Sequence, residues 1–241
     1  MHRAAKGSEL PPPALLHIAP HGIGVHTASH LQASIQTAPT LQAGDLLELF
    51  WGNRYVAAHL LRAGEPGTSI ALAVPRQMLY PGLNTLHYRL LQPGQHPRRS
   101  APLQVAVKLN CPGGYVTTPE NPHLTPLRLP GRLLRQGLDL SRCGQGVPFN
   151  IAPYRHMAEG DAITLRWADL RIDLAPLPGD GIGGPIQGLI PPQVLLEAGN
   201  DEHLDASYCI LDKVGNCSQW APAVRLRVFG QGPRRHFYAY S

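Results

Sequence analysis

The sequence predicts an all-β protein made of two tandem β-sandwich domains. The first observation is an internal repeat: residues 44–51 (GDLLELFW) reappear as residues 160–167 (GDAITLRW), 116 positions later, which is about the length of one sandwich domain. The second is composition, because 25 Gly and 25 Pro among 241 residues indicate many turns between short elements. The third is alternation within 162–167, where Ile163, Leu165 and Trp167 are apolar and Thr164 and Arg166 are polar, the period of a half-buried strand.

The repeat extends over most of the chain. Residues 30–56 align without a gap with 146–172, and further landmarks follow in the same order. These landmarks are Val74-Pro75 with Ile190-Pro191, Tyr88 with Tyr208 after a short insertion, and residues 101–107 with 221–228. The predicted organisation is a flexible N-terminal lead-in at 1–13, domain 1 at 14–110, domain 2 at 111–229 and a C-terminal tail at 230–241.

The strands are predicted from the same alternation, beginning with a first strand at 14–18. In the repeated segment the inward residues are Leu47, Leu49 and Trp51 in the first copy and Ile163, Leu165 and Trp167 in the second. The preceding Gly-Asp pair is interpreted as a turn, in which Gly adopts positive φ and Asp closes the turn with its carboxylate. Both tryptophans are therefore interpreted as core anchors.

Each copy is predicted to close with a hairpin. In the second copy Leu204, Ala206, Tyr208 and Ile210 face inward, and the turn 212–216 leads to a last strand at 224–228. The first copy has the equivalent strands at 86–91 and 103–109, joined by the loop 92–100. Tyr88 and Tyr208 are expected to be buried, with their hydroxyl groups bonded to the backbone. Helix is expected only as one short turn within 133–140.

The hairpin 208–218 carries a resemblance to a known family. Its Tyr…Gly-Asn-x-Ser pattern, together with Gly160-Asp161 and a strand ending in Trp167, is similar to the immunoglobulin-like repeats of large bacterial surface proteins of the invasin and adhesin type. The first copy departs from that pattern at 91–95. The resemblance implies two tandem immunoglobulin-like, fibronectin-III-like sandwiches and a role in cell adhesion or protein binding.

Charge and hydropathy restrict the partners. The formal charge of +5 and the pI of about 9.2 come from scattered basic residues, so nucleic acid is not expected as a partner. A carbohydrate-binding sandwich is an alternative, although the aromatic content of 6% and the inward phase of the repeated tryptophans argue against it. No apolar run reaches the roughly 20 residues of a membrane span, and residues 1–20 lack a signal-peptide core. The chain is expected to be cytoplasmic or exported by a specialised route, where it could serve as accessory or cargo of a secretion or toxin system.

No pattern predicts catalysis, a cofactor or a metal. There is no G-x-S-x-G elbow, so no enzymatic activity is predicted. The histidines at 17, 21, 26 and 30 lie in a segment broken by Pro and Gly, and the acids at 169, 173 and 180 fit no calcium loop. Whether Cys111 pairs with Cys143, or Cys209 with Cys217, is left open, with the reduced state favoured.

The predicted function is a non-enzymatic protein-interaction or adhesion-type module. Partner specificity is assigned to the loops that differ between the copies, chiefly 92–100 and 179–185. The tail combines arginine with aromatic residues, the types enriched at interface hot spots. Its candidate partner contacts are Arg234, Arg235, Phe237, Tyr238 and Tyr240.

Overall fold

A computed structural model describes residues 10–230, in which short β-strands are connected by turns and three short α-helices. The chain divides into two units, the first ending at Leu109 and the second beginning at Asn110. Each unit contains its own hydrophobic core.

The first unit is all-β apart from one helix, α1 (Val25–Ala28), and one 3-10 turn, Arg76–Met78. Its strands within the described residues are β1 (Ala14–Leu16), β2 (Gln32–Gln36), β3 (Leu46–Trp51), β4 (Arg54–Leu60), β5 (Ser69–Ala73), β6 (Gly82–Leu91), β7 (Arg98–Arg99) and β8 (Leu103–Val107).

These strands form two antiparallel sheets. One has the order β1-β2-β5, and the other has the order β4-β3-β6, with both β7 and β8 paired to β6. The inward side chains of the two sheets meet in one core that includes Ile35, Leu49 and Trp51. The predicted first strand is shorter than expected, because His17 adopts a φ of +55° and ends the extended run at Leu16.

The second unit repeats this plan and adds two helices, α2 (Gly131–Gln136) and α3 (Pro192–Ala198). Its strands within the described residues are β9 (Leu138–Asp139), β10 (Val147–Ile151), β11 (Ala162–Trp167), β12 (Leu170–Asp173), β13 (Ile186–Ile190), β14 (Asp201–Leu211) and β15 (Val224–Phe229).

Strand order shows that the two units share one topology. In the second unit β10 pairs with β13, and the larger sheet has the order β12-β11-β14-β15-β9. The segment around Arg128 pairs with Asn150 in β10, as β1 pairs with β2 in the first unit. The sheets are antiparallel except that β9 runs parallel to β15. Two face-to-face sheets with connections that cross between them form an immunoglobulin-like sandwich, so the predicted all-β, two-sandwich fold is confirmed.

The helical prediction is wrong in extent. The expected turn is present as α2, but neither α1 nor α3 was predicted. Helix α3 begins with Pro192, a residue suited to the first helical position, and ends before Gly199, whose φ is +69°. It occupies the place of the 3-10 turn after Pro75 in the first unit, so it accounts for the insertion between the copies.

The repeated Gly-Asp turn has the same hydrogen bonds in both units. Gly44 and Gly160 have φ of +97° and +81°, and their N–H groups donate to the carbonyls of Leu61 and Leu177. The carboxylate of Asp45 accepts from the Gln42 N–H at 3.0 Å, and that of Asp161 accepts from the Ala158 N–H at 2.9 Å. The turn prediction is confirmed, and the structure adds that both carboxylates are buried.

Candidate functional site

The tail contacts predicted from sequence, Arg234, Arg235, Phe237, Tyr238 and Tyr240, lie outside the described residues 10–230. The two predicted specificity loops are described. In loop 92–100, the Gln92 side chain donates to Asp45 at 2.9 Å, and Arg98–Arg99 pair with β6. In loop 179–185, Gly179–Gly181 form a 3-10 turn, and the Gly183 N–H donates to Met157 Sδ at 3.4 Å.

The residues considered for metal binding are not brought together. Within residues 10–230, no three His, Cys, Asp or Glu side chains converge as a metal site would require. Asp173 instead accepts a hydrogen bond from the Thr164 hydroxyl. In the described part of the chain no disulfide joins any of the four cysteines, and Cys111 and Cys143 are buried.

The solvent side of the larger sheet of the first unit, called here the outer face, combines exposed apolar side chains with an aromatic cluster. Cross-strand pairing aligns its side chains in rows, with Phe50 beside Tyr55 and His87, and Glu48 beside Ala58 and Arg89. Tyr55 is 53% exposed and Leu60 is 58% exposed. The outer face comprises Glu48, Phe50, Tyr55, Ala58, Leu60, His87 and Arg89.

An aromatic cluster organises this face. The rings of Phe50 and His87 stack with centroids 5.2 Å apart, and Phe50 meets Tyr55 edge-on at 6.0 Å. The Arg89 guanidinium lies 4.5 Å from the Phe50 ring centroid and donates to Glu48 at 2.7 Å. Arginine above an aromatic ring is a favourable cation–π geometry. The cluster therefore holds Tyr55 and Arg89 in a fixed orientation at the surface, while His87 is buried beneath them.

His87 is neutral in this cluster. Arg99 Nη2 lies 3.3 Å from His87 Nδ1, and because a guanidinium group only donates, Nδ1 must accept and the ring proton lies on Nε2. Burial, followed by the charges of Arg99 and Arg89, holds the pKa of His87 below its usual range. Protonation of this histidine would remove the acceptor and add a third positive charge.

This arrangement predicts an acid-sensitive first unit. With a lowered pKa in the folded state, His87 takes up its proton more readily in the unfolded chain, so stability falls as the pH drops below about 6.5. The loss is complete once the pH lies below the folded-state pKa, and its slope stays below about 1.4 kcal/mol per pH unit for one group. Urea unfolding of the wild type and of His87→Gln between pH 7.5 and pH 5 measures this loss of stability. An unchanged pH dependence in the variant would contradict this assignment.

Strand β4 forms an unpaired edge beside the cluster. Within the described residues, β4 is hydrogen-bonded only to β3. The opposite edge, β8, is covered: the Ile23 N–H donates to Ala106 at 2.8 Å, and the Lys108 N–H donates to Ile23 at 3.0 Å. The unpaired backbone groups of an edge strand can bind another strand, so β4 is an available edge of this sheet.

The second unit differs at the same place. Its edge strand β12 has four residues, against seven in β4. The guanidinium groups of Arg166 and Arg171 lie 4.8 Å and 5.9 Å from the Trp220 ring centroid and cover that ring. A short, charged edge is the usual protection against unwanted strand pairing. The two copies thus share a fold and differ in the length and the exposed side chains of the edge strands of their larger sheets.

Sequence reasoning missed the outer face and Trp220. In the sequence, Phe50 alternates with the inward residues Leu49 and Trp51. This alternation indicates that Phe50 points to the solvent side of the sheet. Trp220 has no aromatic counterpart in the first copy, where alignment through the Ala-Pro pairs at 101 and 221 places Ser100. Tyr55 gave no such signal, because its partners are on other strands.

Comparisons with known proteins add only remote likenesses. No protein-family model matches the sequence, and no curated protein matches it. Among solved structures, fibronectin(III)-like modules of Clostridium thermocellum CbhA are similar at 9% identity, with a TM-score of 0.44 and coverage of 95% of this chain and 100% of that one. A two-domain fibronectin type-III segment of chicken tenascin is 9% identical, with a TM-score of 0.28 and coverage of 90% and 98%.

A 1.5-MDa bacterial ice-binding adhesin structure is also similar, at 8% identity and a TM-score of 0.36, covering 91% of this chain. The chain spans 66% of that adhesin chain. The fold assignment rests on the strand order of each unit. Among the helices of residues 10–230, none has the length and apolar character needed to cross a bilayer.

Proposed function

We propose that this chain is a non-enzymatic protein-interaction module of the adhesion type, and that the outer face and the β4 edge of the first unit contact the partner. The observation that carries the proposal is the difference between the copies. The first unit exposes Tyr55 and Leu60 on the seven-residue edge strand β4, whereas the equivalent edge strand of the second unit, β12, has four residues and exposes Arg171 and Asp173. Exposed apolar side chains grouped on one face favour partner binding.

Loss of the two exposed side chains should reduce partner capture. The variant Tyr55→Ser/Leu60→Ser is expected to weaken binding of partners from an extract of the native organism by about tenfold. The matched control is Tyr115→Ser/Leu189→Ser in the second unit, because those residues are 58% and 51% exposed. Quantitative mass spectrometry of the captured proteins provides the measurement. Equal loss in both variants would overturn the proposal.

The same partner-capture measurement tests the C-terminal tail and the two loops, each in its own variant. A chain lacking residues 230–241 tests the proposed contacts of Arg234, Arg235, Phe237, Tyr238 and Tyr240. Shortening of loop 92–100 or loop 179–185 tests the proposal that these segments select the partner. Capture that depends on the tail alone would move the binding site away from the outer face.

Kinship with the invasin and adhesin repeats is part of this proposal. It is supported by the hairpin turn, where the Asp212 carboxylate accepts from the N–H groups of Val214 and Asn216 at 3.1 Å and 2.8 Å. The Gly-Asn step of the Tyr…Gly-Asn-x-Ser pattern is therefore part of a closed, hydrogen-bonded turn. A bacterial source gene beside secretion or toxin genes would favour the accessory or cargo role instead.

Carbohydrate binding is a second candidate because the structure places aromatic rings on the solvent side of a sheet. Tyr55 lies against Phe50, and such rings can stack on sugars. A glycan array probed with the wild type and with Tyr55→Ser/Leu60→Ser separates the two candidates. Glycan binding that is lost in the variant would favour this second function.

A further inference from the structure

We infer that β4 binds an extended, acid-flanked segment of the partner protein as an additional strand of the larger sheet; this inference rests on the proposed function. The first step is the backbone. Strand β4 spans Arg54–Leu60, and within the described residues its only hydrogen-bonded neighbour is β3. Val56 is an extra residue in β4, because Tyr55 pairs with Phe50 and Ala57 with Leu49, so an added strand would pair on either side of this bulge. The backbone bonds of the added strand then supply affinity.

The second step is the side chains that flank such a ladder. On the outer face β4 presents Tyr55, Ala58 and Leu60, and all three are exposed. Alternate side chains of an added antiparallel strand would lie directly beside them, where aromatic and branched apolar pairs are favourable. The central positions of the bound segment are therefore expected to alternate between apolar and polar residues.

The third step is charge. The edge begins at Arg54 and is followed by Arg62, both exposed, and no acidic residue lies between them. The acids nearby are already engaged: Glu48 accepts from Arg89 at 2.7 Å, and Glu65 accepts from the Arg62 N–H at 2.7 Å. Glu65 also lies 2.8 Å from His59. A segment with acidic residues at both ends, spanning about nine residues at 3.3 Å per residue, complements the two arginines.

The same charges disfavour a second copy of this chain as the partner. An antiparallel copy of β4 would bring the Arg54 end of one strand near the Arg62 end of the other. Like charges placed opposite each other destabilise strand pairing. The second unit offers no equivalent site, because β12 is short and carries Arg171 and Asp173 on its exposed edge.

Selection from a display library of random peptides of about nine residues tests the inference on the full chain. Peptides enriched on the wild type are expected to carry Asp or Glu at both ends, with alternating apolar residues between. Arg54→Glu/Arg62→Glu should weaken an enriched acidic peptide by about tenfold and should instead enrich peptides with basic ends. Arg132→Glu/Arg135→Glu is the matched control, because both arginines are exposed on α2 and the net charge change is identical.

Hydrogen exchange of the wild type with an enriched peptide locates the contact. Protection of amides in β4 supports strand addition, and protection elsewhere overturns it. Enrichment of the same acidic peptides on the Arg54→Glu/Arg62→Glu variant also overturns it, as does a dimer of the chain that forms through β4. In each of these cases partner capture through Tyr55 and Leu60 can still succeed, so failure of this inference is distinguishable from failure of the proposed function.

Discussion

Replacement of Trp167 by alanine should lower the free energy of unfolding of the second unit by about 3–5 kcal/mol. The ring is 0% exposed and packs at the centre of the core with Leu165 and Tyr208. A small domain is stable by only about 5–15 kcal/mol, so this one change removes a large share of that margin. Urea unfolding followed by hydrogen exchange, resolved by peptide mass spectrometry, reports each unit separately.

Replacement of each repeated tryptophan by phenylalanine allows a matched comparison of the two units. The Trp51 Nε1–H donates to Asn84 Oδ1 at 2.6 Å, whereas Trp167 Nε1 has no partner among the described residues. Leu204 occupies the position equivalent to Asn84. Trp51→Phe leaves a buried amide oxygen unpaired and should cost about 1–2 kcal/mol more than Trp167→Phe. A larger cost for Trp167→Phe would contradict this reading of the two sites.

The fold was predictable from sequence because its signals are local or repeated. Alternation of apolar residues placed Leu47, Leu49, Trp51 and their counterparts inward, and all of them are buried. The hydroxyl of Tyr208 reaches a backbone carbonyl, that of Thr125 at 2.8 Å, as a buried tyrosine requires. A period of two residues carries this information directly, since successive strand side chains point to opposite faces.

The candidate site was not predictable in the same way. The outer face forms only when β3, β4 and β6 align, and the register that places Phe50 between Tyr55 and His87 joins residues that are distant along the chain. Strand pairing between remote segments is a tertiary property, and single-sequence alternation does not report it. Helix α3 was missed for a related reason, because seven residues are too few to show a helical period.

The divergence of the copies has a physical consequence for function. Identical sandwiches would present two equivalent edges, and a chain with two long unpaired edges is prone to association. Here β12 exposes Arg171 and Asp173, whereas the charged residue exposed in β4 is Arg54 at its start. Of the two larger sheets, that of the first unit therefore has the longer and less charged edge strand, and the common core is kept in both units.

Replacement of Asp161 by alanine should destabilise the second unit by about 2–4 kcal/mol. Its carboxylate is fully buried and accepts from the Ala158 N–H at 2.9 Å and from the Tyr154 hydroxyl at 2.8 Å. Burial, followed by this carboxylate, raises the pKa of Tyr154 well above its usual range, so the hydroxyl remains a donor at ordinary pH. Alanine would leave two half-buried donors without this acceptor, which is more costly than loss of an exposed pair. Urea unfolding at pH 7 measures the effect.

The equivalent change in the first unit, Asp45→Ala, should cost less. Asp45 accepts from the Gln42 N–H, as Asp161 does from Ala158, but its second donor is the Gln92 side chain at 2.9 Å. Gln92 and Tyr154 are both half-buried, but the flexible Gln92 side chain can turn its amide towards water, whereas burial is the main cause of the raised pKa of the Tyr154 hydroxyl. Asp161→Asn keeps an acceptor oxygen and should retain most of the stability. If Asp45→Ala lowers the free energy of unfolding as much as Asp161→Ala does, the second donors, Gln92 and Tyr154, do not decide the cost. The hydrogen bond to the turn backbone, which both units share, would then account for the stability that each aspartate provides.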